Sequence, residues 1–340
     1  MIKKLLILLS ILIIVVIGAL FYVKNQVQQY IEQPIMVESP QLLTVSNGMT
    51  LRSALHKMEK QKWLKSIPFS RLLPRLYPEL VRIKAGTFQI TPNQSLQSLL
   101  AMMVAGKEHQ FSITFIEGSR FSEWLLQLKN AQELVHKTSD MTEAQIADYL
   151  GEDKAKLEGL LLAETYHYTS GMSDLEILSR AHRALKKELE RSWESRSNGL
   201  PLKTPYEALI LASIIEKETA IESERRRVAS VFVNRLNKHM RLQTDPTVIY
   251  GIGDKYDGNI TRKDLKTPTD YNTYVIYGLP PTPIAMPGVE SIRAALNPEQ
   301  SNYLYFVASG NGGHIFTKSL VEHNRAVRNY LKTLKANKNK

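Results

Sequence analysis

Hydrophobic and polar positions divide the chain into segments of different character. Residues 5–23, LLILLSILIIVVIGALFYV, carry no charge at all. At about 1.5 Å per residue, such a helix nearly crosses a hydrocarbon core of about 30 Å. The run exceeds the about 7–15 apolar residues of a signal peptide, and Ile17 fits poorly in a small-x-small cleavage site ending at Ala19. It therefore reads as an uncleaved anchor, although a removed signal peptide would equally export residues 25–340. Lys3 and Lys4 favour a cytoplasmic N-terminus, residues 1–4, with the remainder outside. Residues 24–40 are polar, end in Pro40 and read as a juxtamembrane linker.

Beyond the linker the period changes. In LLTVSNGMTLRSALHKMEK a β-rich run at 42–45 meets a turn at Asn47–Gly48. Thr50 then caps a helix with Leu51, Ala54, Leu55 and Met58 on one side. The phrase returns as FQITPNQSLQSLLAMMVAG, with Ser95 in the place of Thr50, and more faintly as FSITFIEGSRFSEWLLQL from Phe111. Helical spacing continues over 121–135, 142–150 and 173–195. It then spans 205–237, broken near Ile221–Ser223, with Ser223 as the cap of a second half that buries Val228, Val231, Phe232 and Leu236. LEGLLLAETYHYTSGMSD, residues 157–174, reads as a loop whose Tyr166, His167 and Tyr168 fill a core edge or stack on sugar rings. RLQTDPTVIYG and TPTDYNTYVIYGLPPTPIAMPG read as loops with short β runs. YLYFVAS, 303–309, is the clearest strand, and a helix over 318–335 leads into a basic tail. The class expected is α+β.

Composition narrows the function. The chain has 340 residues, 43% of them hydrophobic, enough for two or three domains. With no cysteine, disulfides and thiolate chemistry are excluded. The net charge of +11 suits an anionic surface or polymer. Its basic residues are scattered and no nucleic-acid module accompanies them, so nucleic acid is not an expected partner.

The candidate chemistry lies in LASIIEKETA, residues 211–220. Leu211, Ile214 and Ile215 form an apolar stripe, and Glu218 falls on it. A carboxyl group on such a face loses hydration, its pKa rises, and it can hold a proton near neutral pH, as a general acid for glycosidic cleavage must. Glu216, about 200° round the helix, should face solvent. A buried Glu–Arg pair would give Glu218 the same pattern. A two-acid glycosidase would need a partner carboxylate, and Asp245 or Asp270 is available, each in a turn-forming context. Periodicity does not choose between one-acid and two-acid chemistry. GNGGH, 310–314, lacks the ending of a phosphate loop, and His314, Glu322 and His323 lack metal-ligand spacing. No metal or cofactor is expected.

Two resemblances follow from longer phrases. VSNGMTL and IKAGTFQI place residues 41–110 near a LysM module, a small βααβ fold that binds N-acetylglucosamine polymers. Its usual spacing is stretched here by WLKSIPFSRLLPRLYPEL, and a spacer without sugar binding fits equally well. ASIIEKETAIESERRRVASVFVNRL, MRLQTDPTVIYG, TPTDYNTYVIYGLPPTPIAMPG and YLYFVASGNGGHIFTKSLVEHNRAV, in this order, resemble the endolytic murein transglycosylase (YceG-like) family. The resemblance implies a single-pass inner-membrane enzyme whose catalytic domain, residues 111–340, faces the periplasm and presents its acid on a lysozyme-like helix. It implies cleavage of the MurNAc-β-1,4-GlcNAc bond in nascent glycan strands with a 1,6-anhydro product, ending strand elongation, and association with penicillin-binding synthases. Glu218 would be the single catalytic acid. Gln243, Thr244, Asp245, Tyr271, Asn272 and Tyr274 would line the cleft, with turn stabilisation the alternative for each. The family's L-E-G-x-x-x-P-D-T-Y loop is altered here to LEGLLLAETY, with Ala163 and Glu164 for Pro and Asp. A non-catalytic wall-binding scaffold and a hydrolytic muramidase using Asp245 or Asp270 stand as alternatives.

Overall fold

The computed structural model describes residues 2–310 and 312–338. Met1 of the N-terminal segment, Asn311 of GNGGH and the last two residues of the basic tail lie outside the described residues. The chain forms two compact units, Met1–Phe111 with His167–Met172, and Ser112–Tyr166 with Ser173–Lys340. Among the described residues the β content is three two-stranded sheets, and the class is mixed α+β.

In the first unit α1 (Ile2–Glu32) is followed by β1 (Gln41–Val45), α2 (Leu51–Lys60), α3 (Leu73–Leu76), β2 (Gly86–Ile90) and α4 (Leu96–Ala105). Strands β1 and β2 pair antiparallel from Gln41↔Ile90 to Val45↔Gly86. The two-residue period of a strand turns Leu43, Val45, Phe88 and Ile90 onto one side, where they join Leu96, Leu99 and Met103 in the core. Thr50 Oγ1 and Ser95 Oγ each accept a hydrogen bond, at 3.2 Å, from the N–H three residues on, Ser53 and Ser98, and so start α2 and α4.

Residues 24–40 are not a plain linker. Helix α1 runs without a break through the uncharged segment to Glu32, long and apolar enough to cross a membrane. Its last turns bury Val27, Tyr30 and Ile31 in the core of the first unit. The polar residues around them face outward, so a helix with a narrow apolar stripe was hidden in a segment that looks polar throughout.

The remaining elements are β3 (Phe111–Thr114), α5 (Phe121–Asn130), α6 (Glu143–Leu150), β4 (Thr165–Tyr168), α7 (Asp174–Glu194), α8 (Pro205–Glu218), α9 (Glu222–Asn237), α10 (Asp245–Ile252), α11 (Val289–Leu296), β5 (Tyr305–Ala308), β6 (His314–Thr317) and α12 (Leu320–Lys338). Strand β4 lies in a segment expected to be loop, and Tyr166 and Tyr168 are buried while His167 is exposed. The TDPTVIYG stretch is helix α10, not loop with β runs. Pro246 stands in its first turn, where a missing N–H breaks no helical bond.

Helix α8 is the centre of the second unit, packed by α7, α9, α10 and α11. Every residue from Ala208 to Ile215 is buried. The apolar stripe is therefore a whole cylinder. Its middle is tied by Ser213, whose Oγ donates to Ile210 O at 2.7 Å and accepts from Ile284 N at 3.0 Å. The chain leaves α8 at Thr219, whose Oγ1 accepts from Ile221 N at 3.0 Å. The break thus falls at Thr219–Ile221, and Ser223 sits inside α9 instead of capping it. On α9 Val228, Val231 and Phe232 are buried, whereas Leu236 is only half-buried and its neighbour Arg235 is buried.

Ser213→Ala leaves the Ile284 N–H buried without an acceptor. It should lower unfolding free energy by about 1–3 kcal/mol, read from the midpoint of urea denaturation.

Candidate functional site

Glu218 is the last residue of α8, where the buried cylinder meets polar loops. The residue is part-exposed. The Thr244 hydroxyl donates to its Oε1 in a very short hydrogen bond. Burial is the dominant influence and raises the Glu218 pKa. The Thr244 hydrogen bond opposes that rise. Asp245 adds to it, and His314 and Arg235 act against it. The net effect favours a held proton.

Thr244 is itself held from below. Its N–H donates to Thr273 Oγ1 at 3.1 Å, and Gln243 N donates to Thr273 O at 3.1 Å. Thr247 Oγ1 lies 2.8 Å from Thr273 Oγ1 and donates to Thr244 O at 2.8 Å. Gln243 adopts φ +51°, in the left-handed region that costs a residue with a side chain about 1 kcal/mol or more. That turn aims the next residue, Thr244, at the acid. The LQTDP and YNTY phrases, about thirty positions apart, form one knot.

The sequence-predicted residues divide by what the structure gives them to do. Glu218 and Thr244 touch. Asp245 and Tyr274 join at the rim, with Tyr274 Oη donating to Asp245 Oδ1 at 2.6 Å. Burial first, then that hydrogen bond, raises the Tyr274 hydroxyl. Gln243 is exposed, and its Oε1 lies 3.4 Å from Arg235 Nη1. Tyr271 packs against the Tyr250 ring at 4.8 Å and bonds Thr282 at 2.8 Å. Asn272 does not line a cleft. It is buried, its Nδ2 donates to the carbonyls of Asp264, Leu265 and Thr267, and its Oδ1 accepts from Tyr274 N. Every polar atom of that amide is occupied in shaping its own loop. Asp270 is exposed.

Glu216 also departs from expectation. Its side chain is 7% exposed, its Oε2 accepts from Gly288 N at 3.0 Å, and Arg225 stands 4.0 Å from its other oxygen. The far face of α8 is covered too, so a helical wheel could not place it in solvent.

Two residues that act on Glu218, Arg235 and His314, carry roles that the sequence reading does not assign. Arg235 is buried with its Nε donating to Leu304 O at 2.7 Å and its Nη1 to Leu242 O at 2.8 Å, under the ring of Tyr305. Carbonyl oxygens accept its hydrogen bonds and no carboxylate pairs with it among the described residues, so its charge is left to act on Glu218. Its signal was available, since it falls at helical spacing after Val228, Val231 and Phe232. His314 pairs with Glu224, its Nδ1 at 2.7 Å from Oε2 and its N–H donating to Oε1 at 3.0 Å. Burial acts to raise Glu224, but these bonds outweigh it and hold the carboxylate below its usual range. His323 instead stacks on Tyr305, and Glu322 accepts from Lys318 N and Ser319 N at the start of α12. Glu158, in the altered LEG loop, is buried and pushed up to about 7 by burial, against the bonds it accepts from Phe121 N at 3.0 Å and Tyr250 Oη at 3.3 Å. Gly159 beside it has φ +78°, and a Cβ there would stand 2.3 Å from Pro283.

In the second unit, cavities of about 420 and 460 Å³ are lined by other residues.

A sequence profile described as the YceG-like family matches residues 43–329. The endolytic murein transglycosylase of Bacillus subtilis (strain 168) is 32% identical over 265 residues, 73% of this chain and 73% of that one. The endolytic murein transglycosylase of Streptococcus pneumoniae serotype 2 is 32% identical over 179 residues, 51% of this chain and 32% of that one. A crystal structure of a yceG-like protein from Listeria monocytogenes matches with a TM-score of 0.53 and 27% identity, covering 85% of this chain and 99% of that one.

Two expectations follow. Thr244→Val removes the donor that favours the charged form of Glu218, so the carboxyl should titrate at higher pH. Infrared difference spectra of the protonated carboxyl, referenced to Glu218→Gln, should show that rise, and a fall would reverse the argument. For Glu158 the folded pKa of about 7 exceeds the ordinary 4.5, so the native state holds the extra proton. Stability contributed by that proton is present below pH 4.5 and lost as pH rises to 7, by about 3 kcal/mol at about 1.4 kcal/mol per pH unit. Glu158→Gln should flatten the decline in melting temperature between pH 5 and 8.

Proposed function

The chain belongs to the YceG-like family, and from that premise we propose that it is a peptidoglycan lytic endotransglycosylase, a lyase with Glu218 as its single acid and base. The observation that carries this reading is one carboxyl, raised by burial and gripped by Thr244, at the open end of a buried helix. Protonated Glu218 gives its proton to the bridging oxygen as the C1–O4 bond between N-acetylmuramic acid and N-acetylglucosamine breaks. The muramic acid's own 2-acetamido oxygen steadies the positive centre at C1. The carboxylate then takes the proton of the C6 hydroxyl, whose oxygen closes on C1 as a 1,6-anhydro ring. Atoms balance without water, and Glu218 ends protonated as it began.

The remaining parts of the reading follow the same premise. Gln243, Thr244, Asp245, Tyr271 and Tyr274 are the groups proposed to meet the sugars, with Asn272 acting through the shape of its loop. Arg235 keeps the intermediate carboxylate from becoming too strong a base. Helix α8 serves as the lysozyme-like catalytic helix, within a catalytic domain over residues 111–340. Helix α1 is the anchor in the inner membrane, with the rest of the chain on the periplasmic side. The LysM-like module over 41–110 lies between anchor and catalytic domain. Cleavage inside nascent strands would end their elongation, beside penicillin-binding synthases.

One observation keeps a hydrolytic reading in view. Asp245 is near enough to raise Glu218, and a second carboxylate could activate water.

Glu218→Gln should lower cleavage of purified glycan strands by about 10²–10⁴-fold, the usual contribution of a general acid. Mass spectrometry of wild-type products decides the reaction, because hydrolysis adds one water and ring closure adds none. Anhydro products at the wild-type rate from the Gln variant would remove Glu218 from the role.

A further inference from the structure

The first unit holds a cavity of about 930 Å³ between α1, α2 and the stretch 66–74. That stretch belongs to WLKSIPFSRLLPRLYPEL, the spacer between α2 and β2 that the β1–β2 pairing does not require. We propose that this cavity binds the phosphate headgroup of an anionic membrane lipid.

The first argument is position. Tyr30, in the cavity wall, lies seven residues after Val23, the end of the uncharged run, so about 10 Å along the same unbroken helix. The spacer also reaches back toward that run. The Phe69 ring stands edge-on to Tyr22 at 6.4 Å, and Tyr22 belongs to the uncharged segment. Aromatic side chains at the end of a span sit at headgroup level. The spacer therefore lines its cavity at the height where lipid phosphates lie.

The second argument is charge. Arg52 and His56 stand one turn apart on α2, and Arg71 comes from the spacer. Among the described residues none of these three makes an ion pair or a side-chain hydrogen bond. Ser53, Ser66 and Ser70 add hydroxyl donors in the same wall. The acid of the lining, Glu59, accepts from Tyr30 Oη at 3.1 Å and keeps its negative charge, so the two arginines of the wall still leave a positive balance. Arginine guanidinium and serine hydroxyl groups together suit phosphate oxygens. Residues 24–110 carry 11 Lys and Arg against 5 Asp and Glu, which draws the whole unit toward an anionic surface.

The third argument is size and lining. The volume falls within the range of about 300–1,000 Å³ of small-molecule sites. Leu55 and Ile67 give one part of the wall an apolar surface, as the glycerol end of a lipid needs. This site is independent of Glu218 and of the reaction proposed for it.

The test uses the full chain in a neutral detergent, incubated with equal amounts of phosphatidylglycerol and phosphatidylcholine of the same acyl chains. Native mass spectrometry counts the lipids retained. Phosphatidylglycerol should be retained at least about tenfold over phosphatidylcholine, because only its headgroup leaves a net negative charge for Arg52 and Arg71 to meet in charge-assisted hydrogen bonds. Arg52→Gln with Arg71→Gln should bring the ratio close to one, while Lys at both positions should keep most of it. Both arginines are exposed and unpartnered, so the melting temperature of the Gln pair should match that of the wild type. Should the Gln pair melt early, the Lys pair and the wild type decide the matter by their shared preference. Equal retention of the two lipids by the wild type overturns the proposal, as does an unchanged preference in a folded Gln pair. Binding of inorganic phosphate without retention of phosphatidylglycerol overturns the lipid as its source.

Discussion

The second unit depends on the fact that α8 has no solvated face. A helix surrounded by α7, α9, α10 and α11 can offer a polar group to a ligand only near an end, because eight consecutive positions are buried against its neighbours. Glu218 stands at that end. Its proton affinity is then decided by a contest between lost hydration on one side and Thr244, Arg235 and His314 on the other. Neither extreme would serve the successive acid and base roles proposed for it. A carboxyl with no opposing groups would never release its proton, and one paired directly with an arginine would never hold it. Arg235 acts through space because carbonyl oxygens, not a carboxylate, take up its hydrogen bonds.

The knot between LQTDP and YNTY serves the same end. A single hydroxyl can influence the acid only if its position is fixed, and Thr244 is fixed by the hydroxyls of Thr247 and Thr273 and by a left-handed turn at Gln243. The strain of that turn is offset by bonds on either side of it. The residues that meet Glu218 are few, and most of the surrounding polar groups exist to hold them still.

Much of this was legible in advance, and the failures share a cause. The break in the long helical region, the capped helices after Thr50 and Ser95, and a carboxyl out of place on an apolar stripe are all local patterns, written in neighbouring residues. Arg235 carries the same signal as Glu218, a charge on an apolar stripe, but the carbonyls that let it be buried come from loops outside its helix and are not written in neighbouring residues. Glu216 was sent to solvent because periodicity reports how one helix faces one partner, whereas α8 has partners all round. Asn272 was placed in a cleft because residue type says what an amide can bond, not which carbonyls its own loop will offer. Helix α10 was missed because Thr, Pro, Tyr and Gly together look like loop, although a proline in a first turn is compatible with helix.

The unbroken course of α1 has a mechanical consequence. In the proposed role of anchor, a helix long and apolar enough to cross a bilayer that enters a folded core as the same rod cannot behave as a swivel or a tether. Any tilt or spin of the membrane segment is handed directly to the first unit. The stand-off of that unit from the lipid is set residue by residue, each added position lifting it by about 1.5 Å and turning it by about 100°. Register, more than length, then governs which side of the first unit looks along the membrane plane.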